Sequence, residues 1–272
     1  MKKTLSRIYM ALIFVFLYAP IVILILFSFN DSDTKSRAVW SGFSLRWYQK
    51  LFSNTELLNA LRNTVVIAII AAVAATILGT AAAIGINSMK KWPKRFVMNV
   101  GNLPMVNPEI VTGISLLLLF VFGARLLHVE LGIFSVILAH ITFCLPYVIL
   151  SVMPKLRQMD NSLYEAAQDL GCTPVRSFFK VVFPEILPGI ITGAVMAFTL
   201  SIDDFVISYF TSGTTQTLPV YIYSMTRKRV SPEINALSTL LFGTILVLLL
   251  IINFSKKKSG DTGNAKETAR AR

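Results

Sequence analysis

Three carboxylates, Glu109, Asp203 and Asp204, fall inside stretches apolar enough to cross a bilayer. A charge at the centre of a membrane helix costs about 2.5–3.5 kcal/mol on insertion scales, so each should face water, a partner group or the bundle interior. Along a wet path such acids would hold a cation weakly enough to release it; near the interface they would serve structure. Glu109 follows Pro108 at a predicted helix break, where it can cap the helix that follows. Asp203 and Asp204 are neighbours and point about 100° apart on a helix. Asp204 shares a face with Ser201, Ser208 and Thr211, a polar stripe at helical spacing, while Asp203 shares one with Thr199 and Ile207. Asp204 is therefore the residue expected to line a path. His140 reads as a hydrogen-bonded interior histidine rather than a proton carrier. Trp47, Tyr221 and Tyr223 read as interfacial anchors.

A second group of residues is suited to docking. Glu165–Pro184, EAAQDLGCTPVRSFFKVVFP, is a polar passage between two long apolar runs. Glu165, Ala166, Ala167 and Gln168 favour helix, and Gly171 can take the left-handed turn that closes it. A second amphipathic piece follows, with Val175, Phe178, Phe179, Val182 and Phe183 apolar and Arg176 and Lys180 basic; Pro184 is expected to end it. The outcome is two short helices set at an angle on the membrane face. The spacing resembles the coupling loop of ABC importer permeases: Glu-Ala-Ala, three residues, Gly, nine residues, then an apolar pair and Pro. Val181-Val182-Phe183-Pro184 stands where that family has Ile-x-Leu-Pro, and both changes keep the apolar character. The resemblance implies that an ATPase grips Glu165, Ala166, Ala167 and Gly171.

The elements that carry these residues are predicted to be membrane helices. The chain has 272 residues, 54% hydrophobic and 15% charged, against about 25% charged in a soluble domain; its mean hydropathy is +0.66. Six spans are expected: Ile8–Phe29, Leu61–Ile86, Phe96–Phe122, Gly132–Val152, Ile186–Phe210 and Ile234–Phe254. The first is read as retained, because its apolar run is longer than that of a cleaved signal peptide. Pro20 should kink it. The second is rich in Ala and Gly and is expected to be central. The third holds Asn102, Pro104, Asn107 and Pro108 and should be interrupted where protein or a cavity covers it. The fifth carries a Gly189-x-x-x-Gly193 packing motif. The external stretch Asn30–Arg62 should place a short amphipathic helix among Trp40, Trp47, Tyr48 and Phe52. With this topology 17 of the 26 Lys and Arg residues fall inside, which puts both termini and the docking stretch in the cytoplasm. Residues 1–255 thus form one transmembrane domain with its coupling loop at 155–184, and 256–272 a polar cytoplasmic tail. The fold class is an all-α membrane protein.

Other chemistries are excluded by absence of their motifs. The net charge of +12 sits at the ends of apolar runs rather than on one soluble face, which argues against nucleic acid. No Gly is followed by Lys, so there is no phosphate-binding loop, and any ATP must be hydrolysed by another chain. No zinc motif or nucleophile elbow is present. Cys144 and Cys172 suggest neither a disulfide framework nor a metal, and no cofactor is expected.

Further stretches resemble the PotC-type permeases of spermidine/putrescine ABC importers. They are Ser28-Phe29-Asn30, Trp40-Ser41-Gly42-Phe43-Ser44 with Trp47-Tyr48, His140–Pro146, Ser201–Asp204, Tyr223-Ser224-Met225 and Val230–Leu237. This resemblance implies a six-helix, type I (MetI-like) bundle in a bacterial inner membrane, and a polyamine substrate. It also implies a PotB-like permease, a PotA-like ATPase dimer and a PotD-like binding protein as partners. An importer of another small solute, a secondary transporter without an ATPase, and an assembly protein are the alternatives that uptake measurements separate.

Overall fold

The computed structural model describes residues 2–31, 40–127, 130–228, 233–243 and 246. They are helical apart from short links, with no strand among them beyond one isolated bridge between Asn30 and Phe43. The chain divides into two compact units, Glu56–Tyr223 and the terminal stretches that flank it.

In the terminal unit, α1 (Lys2–Ser28) is apolar along its length, and none of its most apolar window is buried within the chain. Its end is tied through Asn30 to the segment that follows. The Asn30 side-chain oxygen accepts the Ser41 N–H at 2.8 Å, and its carbonyl accepts the Trp47 indole N–H at 2.9 Å. The amphipathic helix expected in this region is α2 (Arg46–Ser53), which buries Trp47 and Leu51. Trp47 is therefore a core residue with its indole N–H satisfied, not an anchor facing lipid headgroups. Residues 233–243 are helical, with Ile234, Ala236 and Leu237 buried and Glu233 paired to Lys50. About half of the span expected over Ile234–Phe254 and all of the tail 256–272 lie outside the described residues, as do His128 and Val230-Ser231-Pro232.

The central unit is a helix bundle. α3 (Thr55–Ser88) is 34 residues long, or roughly 51 Å at 1.5 Å per residue, more than the bilayer core requires. Its Ala68, Ala71, Ala75 and Ala83 are fully buried, whereas Val73, Ile77 and Leu78 on other faces are exposed. α4 (Lys91–Gly101) and the single turn α5 (Leu103–Val106) precede α6 (Glu109–Leu127). The chain bends by 105° between them, so the third span is not one interrupted helix but two helices in different directions. Pro108 explains the bend. A residue before proline is pushed out of the helical region, and Asn107 is extended at φ −72°, ψ 143°.

α7 (Ile133–Gln158) is the most enclosed helix: half of its most apolar window is buried, against a third for α3. The expectation that the small-residue helix would be central is thus corrected; its small residues let it lean on α7. A Cβ on Gly79 would lie 2.8 Å from Val148 Cβ. On another side comes α10 (Phe183–Asp203), the fifth span, whose Gly189 and Gly193 press on Ser151, Val152 and Val148. Without a hydrophobic drive between helices in lipid, such close backbone approach is what joins them. α11 (Val206–Thr211) and α12 (Leu218–Lys228) follow. Apolar periodicity did not mark α12 as a helix. The Leu218 N–H donates to Thr64 Oγ1 at 2.7 Å, and Asn63 donates to the Gln216 carbonyl at 3.1 Å, tying the start of α12 to α3.

The glycine contacts make a direct prediction. A Cβ at position 189 would sit 2.9 Å from the Ser151 carbonyl oxygen, whereas one at Gly85 meets nothing within 4 Å. Gly189→Ala is expected to destabilise the bundle by about 1–3 kcal/mol, the usual cost of overpacking, and Gly85→Ala to leave it unchanged. Thermal unfolding followed by gel filtration in detergent checks both.

Candidate functional site: a docking knob and a polar helix break

The docking stretch folds as two short helices joined by a tight turn. α8 (Asn161–Asp169) starts at Asp160, whose carboxylate accepts the Ser162 N–H at 2.9 Å. That bond holds the Asp160 carboxyl below its ordinary pKa. Because the folded value is lowered, the cap is present above the usual aspartate range and is lost only as pH falls through it. The far end closes with two bonds: Gly171 N–H to the Gln168 carbonyl at 2.8 Å, and Cys172 N–H to the Ala167 carbonyl at 3.1 Å. This pairing satisfies the last carbonyls of the helix and requires a left-handed residue, which Gly171 supplies at φ +85°.

α9 (Pro174–Ser177) runs through one wide turn, Phe178–Val182, directly into α10. Pro184 therefore does not end the second piece. In the wide turn the Phe183 N–H reaches back five residues to the Phe178 carbonyl. This local widening accommodates a proline that has no N–H to give and that would crowd the carbonyl four residues before it. Pro174–Asp203 is consequently one helical run of 30 residues from knob to membrane interior. Val182 and Ser177 are buried, and Phe178 and Tyr164 pack on the core. Facing outward are Glu165, Ala166 and Gly171 beside four apolar side chains: Leu163, Leu170, Val175 and Phe179. Leu170 is 86% exposed. Ala167 is half-buried. All four residues expected to couple lie on this one knob.

The second site is at the other end of α10. The expected continuous helix to Phe210 breaks after Asp203, where Asp204 is extended at φ −64°, ψ 120°. The Asp204 carboxylate accepts the Ile207 N–H at 3.2 Å and the Ser208 N–H at 2.7 Å, satisfying the first turn of α11. His140, on α7, lies beside it. Its Nε2 is 3.3 Å from Asp204 Oδ2 and 3.0 Å from Ser208 Oγ, and its Nδ1 is 2.6 Å from Ser201 Oγ. His140, Asp204, Ser201, Ser208 and Thr211 are all buried. The polar residues read as one helical face are divided by the break, with Ser201 on α10, Asp204 in the link and Ser208 and Thr211 on α11, and Asp204, expected to line a path, is buried against an imidazole inside the bundle. His140 is the hydrogen-bonded interior residue it was expected to be. Asp203, by contrast, is exposed, as is Glu109 in the first turn of α6, where its charge complements the positive end of the helix. Beside the break, Phe205, Tyr209 and Tyr223 cluster, the Phe205 and Tyr223 rings 4.6 Å apart. Tyr221 is buried. The break had a sequence signal that periodicity masked: an Asp three and four residues ahead of amides at the start of an apolar run is a helix-start pattern.

The knob and the broken helix can be compared with known proteins. The model of the binding-protein-dependent transport system inner membrane component family matches residues 75–256. The chain belongs to this family. Among the relatives of this permease is the putrescine transport system permease protein PotI of Escherichia coli K12. The two are 44% identical over 85% of this chain and 83% of that one. The spermidine/putrescine permease PotC of the same organism is 39% identical over 95% of this chain and 97% of that one. The fold of the permease also resembles a crystal structure of a bacterial ABC transporter involved in import of the acidic polysaccharide alginate. That match has a TM-score of 0.74 at 12% identity and covers 92% of this chain and 95% of that one. The chain is thus a multi-pass inner membrane permease of the ABC importer type, with four apolar spans and a bent fifth among the described residues.

The geometry separates the two adjacent acids. Asp204→Ala should leave two amides unpartnered and take from His140 its only charged partner in the site, and cost roughly 3–5 kcal/mol, as when one member of a buried pair is removed. Asp203→Asn should leave the fold unaffected. The yield of monodisperse permease from detergent, compared between the two variants, checks this.

Proposed function

We propose that this chain is one transmembrane subunit of an ATP-driven polyamine importer. It would pair with a PotB-like permease, be driven by a PotA-like ATPase dimer, and receive spermidine or putrescine from a PotD-like binding protein. The observation that carries the proposal is the knob. An outward-facing Glu165–Gly171 segment, rimmed by exposed Leu163, Leu170 and Val175, is joined by one tight turn to the Pro174–Asp203 helical run. Apolar side chains exposed on a loop mark a surface for a partner, and the chain has no phosphate-binding loop of its own. The polyamine assignment is supported by the named cargo of PotI and PotC, at 44% and 39% identity. Six spans are read from the apolar runs, and the distribution of basic residues supports both termini lying inside.

In this reading Asp203 and Glu109 present carboxylates to a passing polycation. Asp204 adds its negative charge from behind Asp203 and keeps the break in place. Polycations pass such acids because each binds weakly enough to release. Nucleotide-driven closure of the ATPase would move the knob and tilt α10.

The test is uptake of labelled spermidine and putrescine by cells lacking their own polyamine importers. They would express the chain with its co-encoded permease, ATPase and binding protein. Glu165→Arg is expected to reduce uptake to background and to abolish retention of the ATPase on the purified permease. Uptake unchanged by Glu165→Arg would remove the coupling role, and an assembled complex that moves neither polyamine would redirect the search to other small solutes.

A further inference from the structure

The imidazole of His140 touches three consecutive pieces of the chain at once. It meets Ser201 in the last turn of α10, Asp204 in the break, and Ser208 in the first turn of α11. None of these pieces holds its place by itself. α11 has only 6 residues, well short of the roughly 12–15 an isolated helix needs to be even marginally stable. The Asp204 carboxylate is buried and would stay costly if only amides faced it. A neutral ring protonated on Nε2 donates to Asp204 and accepts from the Ser201 hydroxyl; an imidazolium donates on both sides. Either form ties the end of α10 to α7.

Those two helices are also the ones that enter the docking knob. From His140 to the end of α7 at Gln158 there are 18 residues, and from the start of α10 at Phe183 to Ser201 there are 18 more. At 1.5 Å per residue each arm is about 27 Å long. The arms press on each other through Gly189 and Gly193 along the way, and at the far end His140 Nε2 holds the break through Asp204 and Ser208. Asp203 sits two residues past Ser201, exposed, with its backbone held by that last turn.

We propose that His140 is a positioning residue for transport. It clamps the α10–α11 break to α7, so that movement of the knob arrives at Asp203 as displacement of a fixed carboxylate and not as slack in an unwound strand. The inference rests on the reading of the chain as an ATP-coupled permease. It assigns His140 no contact with the cargo.

The experiment uses the whole reconstituted complex in liposomes and reads two quantities: ATP hydrolysed, and spermidine taken up per ATP. His140→Ala is expected to keep ATP hydrolysis near the unsubstituted level while uptake per ATP falls about tenfold, within the range by which single residues alter coupling between sites. His140→Gln can set its amide nitrogen where Nε2 lies and should recover most of the ratio. His140→Asn, which reaches only the Nδ1 position, should not. An unchanged ratio in His140→Ala overturns the proposal, as does equal behaviour of the Gln and Asn variants, the pair that decides if the Ala variant fails to fold. A cargo-independent readout guards against a wrong substrate assignment. Asp203→Cys in a Cys172→Ser background should react with a water-soluble maleimide at a rate that changes on trapping with ATP and vanadate. Adding His140→Gln should preserve that change and His140→Asn should erase it; a change that persists in both overturns the proposal. Failure of the unsubstituted complex to move spermidine would count against the polyamine reading alone.

Discussion

Backbone polar groups at membrane depth have no water to fall back on, and the architecture of this chain is a set of answers to that constraint. Wherever a helix is interrupted, a side chain or a changed turn takes over the lost bonds. At Asp204 the carboxylate takes two amides of the next helix. At Phe178–Val182 a wide turn carries the helix past Pro184. At the start of α12, Thr64 and Asn63 reach across from α3. Polar residues in an otherwise apolar chain are concentrated at these repairs, which is why so many of its buried polar side chains coincide with places where the backbone changes direction.

The parts legible in sequence were those whose physics is local. Gly171 had to be left-handed because a helix ended beside it, and the structure places it at φ +85°. The Gly189–Gly193 spacing announced a close helix contact. The less legible parts depended on distant partners. Ser201, Asp204 and Ser208 were grouped as one helical face, but what gathers them across the break is His140, more than 60 residues earlier, and no periodicity within α10 names it. The enclosure of α7 rather than α3 likewise emerges only when three helices are together, since Ala-rich composition reports how close a helix can come, not how many neighbours it has. Pro108 signalled an interruption; the 105° turn needed the extended Asn107 beside it.

Likeness to a transporter of an acidic polysaccharide at 12% identity shows how little of the fold is committed to a cargo. On the proposed reading, discrimination falls to a few side chains near the break and to whatever chain delivers the solute. A basic face on the cytoplasmic side would then repel a cation after release rather than recruit it.

The exposed rim of the knob has a consequence for the life of the subunit in the cell. Leu163, Leu170, Val175 and Phe179 lie open on the described chain, and apolar side chains displayed to water are also what chaperones and membrane proteases recognise. If the knob docks a cytoplasmic partner as proposed, a copy inserted ahead of that partner would advertise its own orphan state, and docking would hide the signal. The four side chains proposed to accept the partner would in this way keep the subunits in balanced number, by making the unassembled chain the short-lived one.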